Sequence, residues 1–118
     1  MLERHGKRFL VRCFSEEEVR YCMTKRDGIP CLAARLAAKE ACFKAIGGRR
    51  GMGLRWRDFD VVMEDDGTPA LRLDGAASEL AQRIGVLKIW LSVTHEEQWA
   101  AAVVVVTGNP SEPQRLSE

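Results

Sequence analysis

The segment Arg35-Leu-Ala-Ala-Lys39-Glu40-Ala-Cys-Phe-Lys44-Ala-Ile-Gly-Gly reads as a helix closed by a glycine pair, and its charges stand where a globular helix is normally apolar. On a 3.6-residue period Glu40 and Lys44 lie one turn apart, about 40° around the axis from each other. Arg35 and Lys39 form a second such line. Leu32, Leu36 and Phe43 lie between the lines, while Ala34, Ala37, Ala38, Ala41 and Ala45 make a methyl-only face that admits close approach of another element. Both apolar faces are expected to be buried, with the two charged lines emerging beside them. A solvated i,i+4 ion pair is the plain alternative, worth about 0.3–0.5 kcal/mol.

A second segment, Ile89-Trp-Leu-Ser92-Val-Thr94-His95-Glu-Glu-Gln-Trp99-Ala-Ala-Ala-Val103-Val-Val-Val106, reads as strand, polar turn, strand. The first strand alternates. The second is almost wholly apolar, as expected of a strand buried on both faces. Elsewhere, Ser15-Glu-Glu-Glu18 forms a capping box that opens a helix through about Thr24, and Asp27-Gly28-Ile29-Pro30 stops it. The Arg35 helix should run from about Cys31 to Ile46, followed by a loop at Arg49–Gly53. Asp58–Met63 and Ala70–Leu73 read as a hairpin, and Ala76–Ile84 as a short amphipathic helix. Helices early and antiparallel strands late give an α+β class with helices on one face of a sheet.

Length and composition fit one domain, 1–107, with a disordered tail at 108–118 that carries prolines and polar residues. No apolar run is long enough for a membrane span and no charged-then-apolar leader is present, so the expected location is cytoplasmic. Cys13, Cys22, Cys31 and Cys42 have no C-x-x-C spacing, which predicts reduced, packed thiols rather than a zinc site or a disulfide framework. Net charge is +1, but residues 1–57 carry fourteen Lys/Arg against six Asp/Glu, while the remainder carries four against eleven. A basic half can steer both an anionic small molecule and an acidic protein to one place. Arg49, Arg50, Arg55 and Arg57 lack an aromatic stacking platform, which argues against nucleic acid.

Together these segments resemble the holo-acyl-carrier-protein synthase family of 4'-phosphopantetheinyl transferases. The family pattern of Arg, Lys-Glu-Ala and a further Lys is met by Arg35, Lys39-Glu40-Ala41 and Lys44, and its Ser-x-Ser/Thr-His strand end by Ser92-Val93-Thr94-His95. Trp56–Val61 and Gly67–Leu73 are similar to its middle hairpin. The resemblance implies a 4'-phosphopantetheinyl transferase-like fold, a homotrimer with active sites between protomers, and transfer of phosphopantetheine from coenzyme A to a serine of an acyl carrier protein in fatty acid biosynthesis.

It further implies Glu40 as ligand of a magnesium ion, Lys44 at the pyrophosphate as a catalytic residue, and Arg35, Lys44, Gly47, Thr94 and His95 as contacts to the nucleotide phosphates. Arg4, Lys7, Arg8, Arg12 and Arg20 form a candidate surface for the acidic carrier. Family members also begin with a strand bearing a Gly-x-Asp whose Asp binds magnesium. This chain opens at Met1-Leu-Glu-Arg4, which reads as the end of the first helix, so the first strand is expected to be missing. The competing expectation is a truncated or degenerate module that binds coenzyme A without transferring anything.

Overall fold

The computed structural model describes residues 4–96 and 98–109, the side chains of 4 and 5 excepted. Their order is α1 (Arg4–Cys13), α2 (Glu16–Met23), α3 (Gly28–Ala45), a single 3-10 turn (Trp56–Asp58), β1 (Phe59–Met63), β2 (Pro69–Leu73), α4 (Gly75–Arg83), β3 (Val86–His95) and β4 (Ala100–Gly108). The expected capping box is formed: the Glu18 amide donates to Ser15 Oγ at 3.1 Å and the Ser15 amide to Glu18 Oε1 at 2.9 Å.

Helix α3 begins three residues before its expected start. Asp27 is its N-cap and accepts from the Ile29 amide at 3.1 Å. Pro30 sits in the first turn, where amides have no intrahelical partner to lose.

The strands pair as two antiparallel hairpins rather than one continuous sheet, β1 with β2 and β3 with β4. Helix α3 lies across β4 and touches β1, β3 and α2. One core cluster joins Cys13, Phe14, Cys22, Cys31 and Leu32 at the α1–α2–α3 corner. The other gathers Cys42, Ile46, Phe59, Ala77 and Leu80 under the inward residues of β3 and β4, among them Ile89, Val104 and Val106. Burial on β4 therefore alternates, which corrects the expectation of a strand covered on both faces. A two-stranded sheet packed on one helix covers only one of its faces. Leu87, Trp90, Trp99, Val103 and Val105 remain on the surface, Val103 62% and Trp90 51% exposed.

A second correction concerns sulfur. Cys22 and Cys31 form a disulfide, while Cys13 and Cys42 are free and buried. The turn between α2 and α3 folds the first residues of one helix against the last of the other, bringing the two Cα atoms to 5.5 Å. A search for short local motifs misses a pair separated by nine positions across a helix break. No helix among the described residues is long and apolar enough to cross a membrane. From residue 110 onward the expected tail lies outside the described residues.

One buried ion pair ties these layers together. Lys39 Nζ meets Glu18 Oε1 at 2.8 Å with both side chains fully buried. Glu18 Oε2 also accepts from the Val61 amide at 2.7 Å, and Lys39 donates to the Phe59 and Trp56 carbonyls. Lys39→Met should cost about 3–5 kcal/mol in chemical denaturation, because it strands a buried carboxylate. Glu18→Gln combined with Lys39→Met should recover part of that loss.

Candidate active site

The two charged lines of α3 separate in space. Arg35 and Lys39 turn inward and are buried, whereas Glu40 and Lys44 face solvent. The cause lies on β1, whose edge away from β2 presents the Phe59 and Val61 carbonyls to α3. Lys39 satisfies the first and Arg35 Nη1 the second. The Arg35 guanidinium also lies 4.6 Å from the centroid of the Tyr21 ring. Burial pushes the pKa of both cations down, and the Glu18 carboxylate opposes that shift in each. Glu40 and Lys44 make no hydrogen bond or ion pair among the described residues, so the carboxylate and the ammonium stand free one turn apart.

His95 ends β3 and is exposed, as is Thr94. Thr94 pairs with Ala101, Ser92 with Val103 and Trp90 with Val105 on the outward face of the hairpin. His95 borders two cavities. One, of about 510 Å³, is shared with Tyr21, Lys25, Arg26, Asp27 and Cys31. A smaller one, of about 170 Å³, is shared with Arg35, Tyr21, Val61 and Val93 among others. The strand end and the start of α3 thus bring His95 and Arg35 together, at a distance along the helix from Glu40 and Lys44.

Lys25 and Arg26 line the larger of these cavities and belong to none of the motifs. They lie in the turn before the Asp27 cap, and the only sequence signal was their membership of the basic half. The Lys25 ammonium packs 4.6 Å from the Tyr21 ring centroid, on the same aromatic side chain that receives Arg35. Lys25, Arg26 and His95 bring donors suited to phosphate oxygens to one cavity, which the carboxylates of Asp27 and Glu96 also line.

Gly47 plays a different part from the one expected. Its φ of +80° places it just past the α3 cap, where its amide donates to the Lys44 carbonyl at 3.1 Å and the Gly48 amide to the Phe43 carbonyl at 2.8 Å. This is the Schellman closure of a helix, which favours glycine because a side chain is strained at positive φ. The two amides are consumed by the helix end and are not free to cradle a phosphate. Gly48 is also fixed by packing, since a Cβ there would come within 2.9 Å of the Phe43 ring and Leu54.

No group of three or more His, Cys, Asp or Glu side chains gathers among the described residues to form a closed metal site. Glu40 supplies a single accessible carboxylate. That donor fits a hard cation such as magnesium, which keeps several waters and is usually held by one or two carboxylates together with substrate phosphates.

Residues 1–104 match the 4'-phosphopantetheinyl transferase superfamily. A holo-acyl-carrier-protein synthase of Koribacter versatilis is 45% identical over 106 residues, covering 89% of this chain and 84% of that protein. One from Syntrophotalea carbinolica is 43% identical over 108 residues, covering 92% and 84% respectively. Among solved structures, the Neisseria meningitidis holo-acyl-carrier-protein synthase superposes with a TM-score of 0.77 at 30% identity, over 90% of this chain and 85% of that one. The Helicobacter pylori enzyme in complex with coenzyme A gives 0.74 at 27% identity, over 90% and 87%. Matched over residues 1–104, and 45% and 43% identical to the Koribacter versatilis and Syntrophotalea carbinolica synthases over most of both chains, the chain belongs to the 4'-phosphopantetheinyl transferase superfamily.

Proposed function

We propose that the chain is a holo-acyl-carrier-protein synthase that moves the 4'-phosphopantetheine group of coenzyme A onto a serine hydroxyl of an apo acyl carrier protein, releasing adenosine 3',5'-bisphosphate. The observation that carries this reading is the free Glu40–Lys44 pair on the exposed side of α3, in a chain similar along nearly its whole length to holo-acyl-carrier-protein synthases. The reaction is a phosphoryl transfer, whose barrier falls mainly through positioning and charge neutralisation. Magnesium bound through Glu40 would supply charge neutralisation at the phosphate oxygens. Lys44, one turn on, donates to the pyrophosphate and takes up charge on the departing bisphosphate. Arg35, His95 and Thr94 contact the nucleotide phosphates, joined by Lys25 and Arg26 from the turn before α3. The enzyme is expected to work beside its substrates in the cytoplasm.

The carrier is expected to dock on the first two helices. Lys7, Arg8, Arg12 and Arg20 are exposed there beside Phe9 and Val11. A cavity of about 530 Å³ lies between Lys7, Leu10, Val11, Phe14, Val19 and Arg20, so basic groups rim an apolar floor. That combination suits an acidic partner with an apolar contact residue. Assembly belongs to the same proposal. The uncovered face of β3 and β4 suits burial between copies, and a homotrimer would let the Glu40–Lys44 side of one protomer meet the His95 cavity of its neighbour.

Carrier mass, folding free energy, kinetics and sedimentation test this reading. Incubating an apo acyl carrier protein with the chain, coenzyme A and magnesium should raise the carrier's intact mass by one phosphopantetheine. Glu40→Gln should abolish that gain while changing the folding free energy by no more than about 0.5 kcal/mol, as befits an exposed position. Coenzyme A binding without any mass gain would instead leave a binding module. Reversing Arg8 and Arg12 to glutamate should raise KM for the carrier roughly tenfold or more with kcat little changed, and an unaltered KM would remove the docking surface. Sedimentation should find a trimer, which Trp90→Glu dissociates by placing a charge on the buried face.

A further inference from the structure

We infer that the Cys22–Cys31 disulfide is a thiol-reversible clamp on the basic turn of the phosphate pocket, setting how tightly coenzyme A is held. The inference rests on the transferase reading, because the ligand it regulates is the coenzyme. The bridge joins the last turn of α2 to the first turn of α3 and closes residues 22–31 into a ring. That ring carries Lys25, Arg26 and Asp27, and all three line the cavity of His95 together with Cys31 itself. The clamp and the cations it holds are therefore parts of one structure.

The hydrogen bonds of the turn are local. The Thr24 amide and hydroxyl both donate to the Tyr21 carbonyl, the Lys25 amide to the Cys22 carbonyl, and the Ile29 amide to Asp27. Each of these bonds stays within the turn. They give it local shape, while the start of α3 is tied to the end of α2 by the sulfurs, the core residues around them and the close packing of Gly28 on the Cys22 carbonyl. The Lys39–Glu18 pair and Arg35 on Tyr21 join the helices further along. Opening the bridge restores conformational freedom to the residues that present Lys25 and Arg26. A binding-competent arrangement that is only fractionally populated weakens apparent affinity in proportion.

The remaining thiols do not compete for this role. Cys13 and Cys42 are buried and their pKa values are raised by burial, that of Cys42 to about 11, so both stay protonated and poorly nucleophilic at neutral pH. Both cysteines are buried, Cys22 fully and Cys31 at 8% exposure, and Cys31 alone of the two borders the cavity, so attack is assigned to Cys31 Sγ. A thiolate of an external dithiol attacks Cys31 Sγ, forming a mixed disulfide and releasing Cys22 as the leaving thiolate. The second thiol of the dithiol then displaces Cys31. The external dithiol leaves as a disulfide, and Cys22 and Cys31 gain two electrons and, from solvent and the dithiol, two protons. Disulfides in reducing compartments are commonly transient and redox-sensing, which suits a reversible clamp better than a permanent staple.

Calorimetric titration of the full chain with coenzyme A, in its oxidised state and after reduction by a dithiol, tests the inference. Alkylation under denaturing conditions verifies the states: of the four cysteines, the two free ones alone should be modified in the oxidised protein, and all four after reduction. The expected result is a Kd roughly three- to tenfold higher in the reduced protein, restored on reoxidation with a low-molecular-weight disulfide. Cys31→Ala should hold Kd at the reduced value under both conditions. Should that variant fail to fold, the comparison of the two wild-type states decides alone. Equal Kd values in the two states would overturn the clamp and leave the transferase reading intact, as would four modified cysteines in protein treated with the disulfide. Failure of coenzyme A to bind in either state would overturn the transferase reading and the clamp with it.

Discussion

The buried pair of Glu18 and Lys39 is the interaction on which the other elements depend. A strand edge left without a neighbour must find partners for its amides and carbonyls, and on β1 those partners are charged side chains rather than another strand. Glu18 serves the Val61 amide, caps its own helix through the Ser15 amide, and neutralises Lys39. Lys39 in turn serves two carbonyls. Asp60 extends the arrangement to the next residue, accepting from Ser15 Oγ at 3.0 Å and from Arg72 at 2.7 Å. Taking two charges out of water is costly, and the cost is offset because both carboxylate oxygens and the ammonium have hydrogen-bond partners. Among the described residues, no buried side-chain nitrogen or oxygen lacks one.

This explains why one charged line of α3 is structural and the other free. On a helical wheel the lines are equivalent, and a single sequence offers no sign of which one meets a strand edge. The capping box of α2 was legible from Ser15 and Glu18 alone, because capping is local and its spacing is fixed by helix geometry. The second task of Glu18, reaching Val61 across 43 positions, was not legible, since tertiary contacts leave no mark on local spacing. The hairpins and α4 were legible to within a few residues from alternation and turn residues. The exposed outer face of β4 was not, because an apolar run looks the same whether its second face meets a helix, another copy or water.

The candidate site was partly legible for a similar reason. Glu40, Lys44 and His95 stood out through spacing and context, and each is accessible. Lys25 and Arg26 carry no motif, and only the fold of the α2–α3 turn brings them beside His95. Gly47 was ambiguous between a phosphate cradle and a helix end, and the hydrogen bonds of α3 assign it to the second. Charge in this protein is thus sorted by depth. Lys39, which meets backbone carbonyls, is buried and fixed, Lys44 and Lys25 remain in water, and Arg35 does both, held by the Val61 carbonyl while it lines the His95 cavity.

The uncovered side of the β3–β4 hairpin, with Trp90, Trp99, Val103 and Val105, has a consequence for how such a protein behaves on dilution. If catalytic groups from two copies complete one centre, a dissociated copy is less stable and catalytically incomplete as well. Folding and association then share one free energy, and apparent stability becomes a property of concentration. Well below the association midpoint of a trimer, turnover would fall with about the third power of protein concentration rather than in proportion to it.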